Sequence, residues 1–243
     1  MMLRTFIWFV YFWISLVSYV PSYLKLKGMP SDEARLIAAE RRARHWSETL
    51  LKLAGTHIEV KGLDHLPKEG PILFIANHQS NFDIPLMIAS LPVPVGFVAK
   101  LELEKMPFVN GWMKALQCIF IDRSDIRKQV RAINEGAARL KNGYHIVLFP
   151  EGTRSADGKI HDFKPGGLKL ATKSGATIVP ITIDGSIGIM QKGSLKIKPA
   201  SVKITIHPPY QMETKDTVAN MTMIKQQIST ALEGVSTDGE AIA

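Results

Sequence analysis

Two short segments, at residues 77–83 and 149–155, carry the side chains best suited to chemistry. The first reads Asn77, His78, Gln79, Ser80, Asn81, Phe82, Asp83, and the second Phe149, Pro150, Glu151, Gly152, Thr153, Arg154, Ser155. His78 can accept a proton near neutral pH, and Asp83, five positions on, can fix the ring tautomer and stabilise the cation that forms. In the second segment Arg154 can hold a phosphate through two parallel N–H donors, while Gly152 lets the backbone approach closely. Together they point to proton abstraction beside an anion site. Spacing alone does not establish this, since seven histidines and ten aspartates among 243 residues supply about 0.3 such pairs by chance. Asp83 also suits the N-cap of a helix beginning Ile84, Pro85, Leu86, a role compatible with facing His78. The second segment also reads as a surface turn with an incidental ion pair.

What must position these side chains is a series of short apolar runs. Strands are expected at 57–61, 71–76, 96–99, 118–122, 145–149, 177–183 and 202–207, separated by helical periods. The clearest helix runs from Ser124 to Leu140, with Ser124 as its cap, Ile126, Val130, Ile133, Ala137 and Leu140 facing inward, and Gly143 as its stop. A last helix, Asp216 to Glu233, turns Val218, Met221, Ile224, Ile228 and Leu232 inward, and the final ten residues are expected to fray. Alternating strands and helices predict an α/β fold with a mostly parallel mixed sheet flanked by helices. Both chemical segments then leave the carboxyl ends of strands, on one edge. Lys100 and Arg123 end strands on that edge, and Lys164, Pro165, Gly166, Gly167 opens a helix whose free N–H groups suit an anion.

The chain is long enough for one sizeable core. Its formal net charge of +8 admits nucleic acid, an anionic membrane or an anionic substrate as partner. The basic residues are scattered without a recognisable binding module, which argues against nucleic acid. The lone cysteine, Cys118, excludes an internal disulfide and a thiolate zinc site, and its apolar neighbours Ile119, Phe120 and Ile121 predict a buried thiol.

Residues Thr5 to Leu24 contain no charge. The sixteen residues Thr5 to Val20 would reach about 24 Å as a helix, short of a hydrocarbon core of about 30 Å, so spanning is marginal. Pro21, Ser22, Tyr23 is a poor cleavage site, which disfavours a removed signal peptide. Next, Leu36, Ala39, Ala43, Trp46, Leu50 and Leu53 form one face of an amphipathic helix, with Arg41, Arg44, Glu48 and Lys52 on the other, its arginines set for lipid phosphates. This reads as a two-helix anchor, residues 1–55, dipping into one leaflet ahead of a catalytic domain at 56–243. A single span is the rival, as is simple packing of the amphipathic helix on the domain.

Over Gly62 to Ile183 the chain resembles the glycerolipid acyltransferase family, most closely its bacterial 1-acyl-sn-glycerol-3-phosphate (lysophosphatidic acid) acyltransferases. Four blocks match in order: Asn77 to Asp83, Ile119 to Arg123, Phe149 to Ser155, and Val179, Pro180, Ile181. Gln117 stands where the second block often has glycine, which bears on how closely that backbone approaches the acceptor. The resemblance implies acyl transfer from an acyl-CoA or acyl-ACP thioester to the sn-2 hydroxyl of lysophosphatidic acid. It gives His78 the role of general base and Asp83 that of its orienting partner. Lys100, Arg123, Glu151, Gly152, Thr153 and Arg154 would hold the acceptor's phosphate and glycerol. No metal or cofactor is implied. The partners would be the phospholipid bilayer, a lysophospholipid, and coenzyme A or acyl carrier protein, at the cytoplasmic face of the inner membrane. Oxyanion donors are expected among backbone N–H groups beside His78 or Gly152. Glycerol 3-phosphate or another lysophospholipid as acceptor is the alternative within the same chemistry, and a non-catalytic anionic-lipid-binding protein the alternative outside it.

Overall fold

The computed structural model describes residues 2–212 and 214–238. Along the chain the elements are α1 (Met2–Ser18), α2 (Val20–Lys27), α3 (Asp32–Ala54), β1 (Thr56–Lys61), β2 (Ile72–Ala76), α4 (Asp83–Ser90), β3 (Val95–Lys100), α5 (Asn110–Ala115), β4 (Ile119–Ile121), α6 (Ile126–Lys141), β5 (His145–Leu148), α7 (Lys169–Ser174), β6 (Thr177–Asp184), β7 (Ala200–Ile206) and α8 (Thr217–Asp238). All seven expected strands form, and they make one sheet in the order β1-β7-β6-β2-β5-β3-β4. Every pairing is parallel except β6 with β7, so the sheet is mixed and mostly parallel.

β2 lies at its centre, and every residue from Ile72 to Ala76 is buried. A strand buried on both faces serves two cores, because alternate side chains point opposite ways. Ile72, Phe74 and Ala76 join a cluster with Trp8, Leu50, Phe82 and Leu86, under α1, α3 and α4. Leu73 and Ile75 join Leu140, Leu168, Ile178 and Ile228, under α6, α7 and α8. Cys118 is buried as expected, and burial pushes its thiol up to about 11.

The helices depart from expectation at three places. The cap of α6 is Asp125, whose carboxylate accepts from the Arg127 and Lys128 amides, while the Ser124 hydroxyl donates to Asp122. Its first turns stand clear of the sheet, so Ile126 and Val130 are exposed and only Ala137 and Leu140 of the expected stripe are fully buried. In α8, Met221, Ile224 and Ile228 are buried as expected but Val218 is exposed. Of the fraying expected for 234–243, residues 239–243 lie outside the described residues, and α8 continues through Asp238.

At the N-terminus, residues Met2–Lys27 are long and apolar enough to cross a membrane. Leu3, Phe6, Ile7, Val10, Trp13, Ile14 and Val17 form an exposed apolar stripe along α1, the signature of a helix that meets lipid. α3 packs much of its apolar face on the domain, the alternative weighed for it. Its Ala39, Leu50, Leu51 and Ala54 are buried, and Arg44, set by sequence pattern for lipid phosphates, donates instead to the carbonyls of Ala89 and Leu91 at the end of α4. Backbone acceptors freed where α4 ends capture the guanidinium before any phosphate could.

Gln117 has φ of 63°, a left-handed conformation that costs a residue with a Cβ roughly 1–2 kcal/mol. The strain exists because β3 passes close beneath: a Cβ at Gly96 would come within 2.6 Å of the Gln117 carbonyl oxygen. This accounts for glycine being frequent there in the family the sequence resembles. Gln117→Gly should therefore hold or raise stability, by up to about 1 kcal/mol after the added unfolded-state entropy, whereas Gly96→Ala should lower it. Urea denaturation of the two variants checks both signs.

Candidate active site

β2 and β5 are neighbours, with Ile75 opposite Leu148, so the segments leaving their carboxyl ends emerge side by side. Three hydrogen bonds lace this region. The His78 backbone N–H donates to Glu151 Oε1 at 2.7 Å, the His161 N–H donates to Glu151 Oε2 at 3.1 Å, and the Ser155 N–H donates to the His78 carbonyl at 2.8 Å. Glu151 is consequently buried, and burial pushes its carboxyl above the ordinary range against the pull of its amide donors. The sequence places Glu151 at the acceptor; the structure turns both of its oxygens onto backbone amides, one of them that of His78.

The ring of His78 is fixed from two sides. Its Nδ1 lies 2.7 Å from Asp83 Oδ2, and a carboxylate acceptor places the hydrogen on Nδ1, leaving the Nε2 lone pair to take a proton. The ring also stacks on Phe149, 4.2 Å between centroids at 17°. With 18% of the side chain exposed, one edge reaches the surface. Asp83 is fully buried, and its Oδ2 accepts further from the Gln79 and Ser80 amides at 2.7 and 2.9 Å. Its Oδ1 is buried without a partner among the described residues. The expected N-cap role is thus corrected. Asp83 is the first residue of α4, and its carboxylate turns back to upstream amides rather than forward to the helix. Around this turn, Asn77 exchanges two 2.8 Å hydrogen bonds with the Ile183 backbone on β6, and the Ser80 hydroxyl donates to the Met190 carbonyl at 2.9 Å.

Cations gather beside the turn. Arg123 donates to the Gly152 carbonyl, and a Cβ at Gly152 would lie 3.3 Å from both Arg123 Nη1 and Lys164 Nζ. Gly152 has φ of 72°, a conformation that favours a residue without a Cβ. Lys100 and Arg123 line one cavity of about 420 Å³. Lys192 Nζ donates to the Arg154 carbonyl at 2.9 Å and to Thr153 Oγ1 at 3.2 Å. The structure therefore brings Lys100, Arg123, Gly152, Thr153 and the Arg154 backbone to one region, and adds Lys164 and Lys192. Sequence reasoning singles out the Lys164 segment but not Lys192, which lies 39 residues beyond Thr153 in a loop that no pattern marks. The helix expected to open at Lys164 is a short 3₁₀ turn over Pro165–Leu168, so the ammonium, not a helix end, is what faces Gly152.

Of the amides at and beside His78 and Gly152, where oxyanion donors are expected, those of His78, Gln79 and Gly152 are engaged. That of His78 serves Glu151, and that of Gly152 donates to the Phe149 carbonyl at 3.1 Å. The Thr153 and Arg154 amides have no acceptor among the described residues. A base with a free nitrogen, a rigid carboxylate behind it and a cluster of cations beside it can deprotonate a hydroxyl on a molecule held by its anionic group.

Comparison with known proteins agrees with this geometry. The chain is 34% identical over 165 residues to the chloroplastic 1-acyl-sn-glycerol-3-phosphate acyltransferase LPAT1 of Arabidopsis thaliana, a match covering 67% of this chain and 46% of that protein. It is 33% identical over 158 residues to the 1-acyl-sn-glycerol-3-phosphate acyltransferase of Borreliella burgdorferi, covering 65% and 63%. The chain thus spans about half the length of the plastid relatives it matches. The crystal structure of the 1-acyl-sn-glycerophosphate (LPA) acyltransferase PlsC from Thermotoga maritima superposes with a TM-score of 0.84 at 28% identity, covering 97% of this chain and 95% of that one. A family model described as Acyltransferase matches residues 57–184, from β1 to the end of β6, and with His78, Asp83 and the Glu151–Arg154 segment inside that match the chain belongs to the acyltransferase family.

Proposed function

We propose that the chain is a 1-acyl-sn-glycerol-3-phosphate O-acyltransferase, moving a fatty acyl group from an acyl-CoA or acyl-ACP thioester to the sn-2 hydroxyl of lysophosphatidic acid and giving phosphatidic acid. The observation that carries this reading is the 2.7 Å contact of His78 Nδ1 with Asp83 Oδ2, tied through the His78 amide to Glu151, the residue before the Gly152 that Arg123 contacts. A base for a hydroxyl and a site for a phosphate stand where one small acceptor can reach both.

In this reading His78 Nε2 takes the proton of the acceptor's free hydroxyl, and Asp83, whose Oδ2 faces His78 Nδ1, compensates the imidazolium. The hydroxyl oxygen adds to the thioester carbonyl, the tetrahedral oxyanion collapses, and the C–S bond breaks. The imidazolium returns its proton to the departing thiolate, so no net proton is gained. Arg123, Arg154 and Lys100, with Lys164 and Lys192, hold the phosphate. Gly152 and Thr153 shape the backbone against the glycerol, and the unengaged Thr153 and Arg154 amides are the donors available for an anionic oxygen. Glu151 acts as a positioning residue through the His78 amide. Residues 1–55 seat the catalytic domain, 56–243, on one leaflet at the cytoplasmic face of the inner membrane, where a lysophospholipid and its product partition.

His78→Ala should lower acyl transfer by roughly 10²–10⁴-fold while leaving the circular dichroism spectrum and vesicle binding unchanged; near-normal turnover would end the proposal. Arg154→Ala should act on acceptor binding. Charge-assisted contacts of roughly 1.5–3 kcal/mol predict about a 10- to 100-fold rise in KM for lysophosphatidic acid with a smaller change in kcat. Glu151→Ala removes the acceptor of two amides, so kcat should fall with KM little changed. A panel of lysophosphatidic acid, glycerol 3-phosphate and lysophosphatidylcholine with one labelled thioester identifies the acceptor, and the highest kcat/KM is expected for the first.

A further inference from the structure

Away from His78, a groove of about 750 Å³ opens between the first turns of α1, the end of α3 and the segment before β7. Leu3, Ile7, Leu53 and Ile197 supply apolar wall, and Arg4 and Lys198 supply charge. Neither side chain has a hydrogen bond or ion pair among the described residues. Arg4 lies against the backbone that closes α3, where a Cβ at Gly55 would come within 3.2 Å of its guanidinium. No acid precedes Asp32, and none lies between Asp184 and Glu213, so both sequences that form the groove are free of local compensation. Leu3 in the groove wall and Leu195, two residues before Ile197, are each 71% exposed. The groove continues the exposed stripe of α1.

Two uncompensated cations at the edge of an apolar, lipid-facing groove match one kind of molecule, in which an anionic group joins directly to hydrocarbon. We propose that this groove is a second, non-catalytic site that binds one anionic glycerophospholipid, its phosphate on Arg4 and Lys198 and the root of an acyl chain along Leu3, Ile7 and Leu53. Such a lipid would fix α1 at a set depth in the leaflet. It would also bear on the candidate active site, because the segment forming its wall is tied at both ends. The Ile197 amide donates to Thr5 Oγ1 at 3.0 Å, and seven residues earlier the Met190 carbonyl accepts from Ser80, with Lys192 reaching Arg154 between them. The site stands whether or not acyl transfer is the reaction.

The full chain would be bound to phosphatidylcholine vesicles containing a phosphatidylglycerol with a diazirine near the carboxyl end of one acyl chain, irradiated, and its adducts mapped by peptide mass spectrometry. Adducts are expected to concentrate on residues 3–7 and 195–199. Lys198→Gln should lower them about fivefold, the effect of one interfacial charge, leave adducts at residues 13–17 unchanged, and restore the wild-type pattern as Lys198→Arg. Lys141→Gln, exposed on α6, should change neither. An even spread along α1 in the wild type, an equal fall at all positions in Lys198→Gln, or the same pattern with a phosphatidylcholine probe would each overturn the site.

Discussion

The carboxylate of Glu151, buried between the ends of β2 and β5, is the interaction on which the rest of the candidate site depends. A strand ends with backbone donors unpaired, and here the His78 amide just beyond β2 and the His161 amide in the loop that follows β5 terminate on one side chain. A buried amide left without an acceptor costs roughly 1–3 kcal/mol, so the loop has one favourable path and His78 has one place to stand. Asp83 repeats the device one turn later by accepting from Gln79 and Ser80. Three successive amides, 78 to 80, thus end on two carboxylates. The imidazole between them acquires its orientation from the backbone that carries it, before any substrate arrives.

That arrangement requires β2 to be central. Its two faces belong to two cores, so a shift of one residue in register would exchange the whole apolar set and move His78 away from Glu151. Asn77 supplies the lock, since its amide pairs with both backbone groups of Ile183 on the neighbouring strand. β7 runs antiparallel to β6, between it and the edge strand β1, and the return from β6 to β7 is what carries Lys192 over the Arg154 loop.

The strands, the sheet class and the His78–Asp83 pair were legible in the sequence because each is a local pattern: an apolar run, a turn residue, a fixed spacing. What was not legible depends on contacts between distant segments. Glu151 looks like a surface carboxylate until the β2–β5 pairing shows which amides lie opposite it. Arg44 looks ready for phosphate until the end of α4 presents two carbonyls. Ile126 and Val130 follow a helical period, yet that period says nothing about where the underlying sheet ends, and both are exposed. Asp125 outcompetes Ser124 for the cap because Ser124 is already held by Asp122. Gln117 shows the reverse case, a departure from a family pattern whose position, but not its strain, is visible in the sequence.

The N-terminal helix has two faces with different duties. Its outer stripe is apolar and exposed, while its inner face places Trp8 against Phe82, 5.2 Å between ring centroids, with the indole N–H donating to the Leu50 carbonyl at 3.0 Å. Phe82 is buried and immediately precedes Asp83. The helix that meets lipid is therefore also the packing behind the turn that orients His78. A helix attached only as a tether would leave that turn indifferent to the membrane. One wedged behind it ties the placement of Asp83 to the seat of α1, so lipid contact and the geometry of the His78–Asp83 pair are held by the same few side chains.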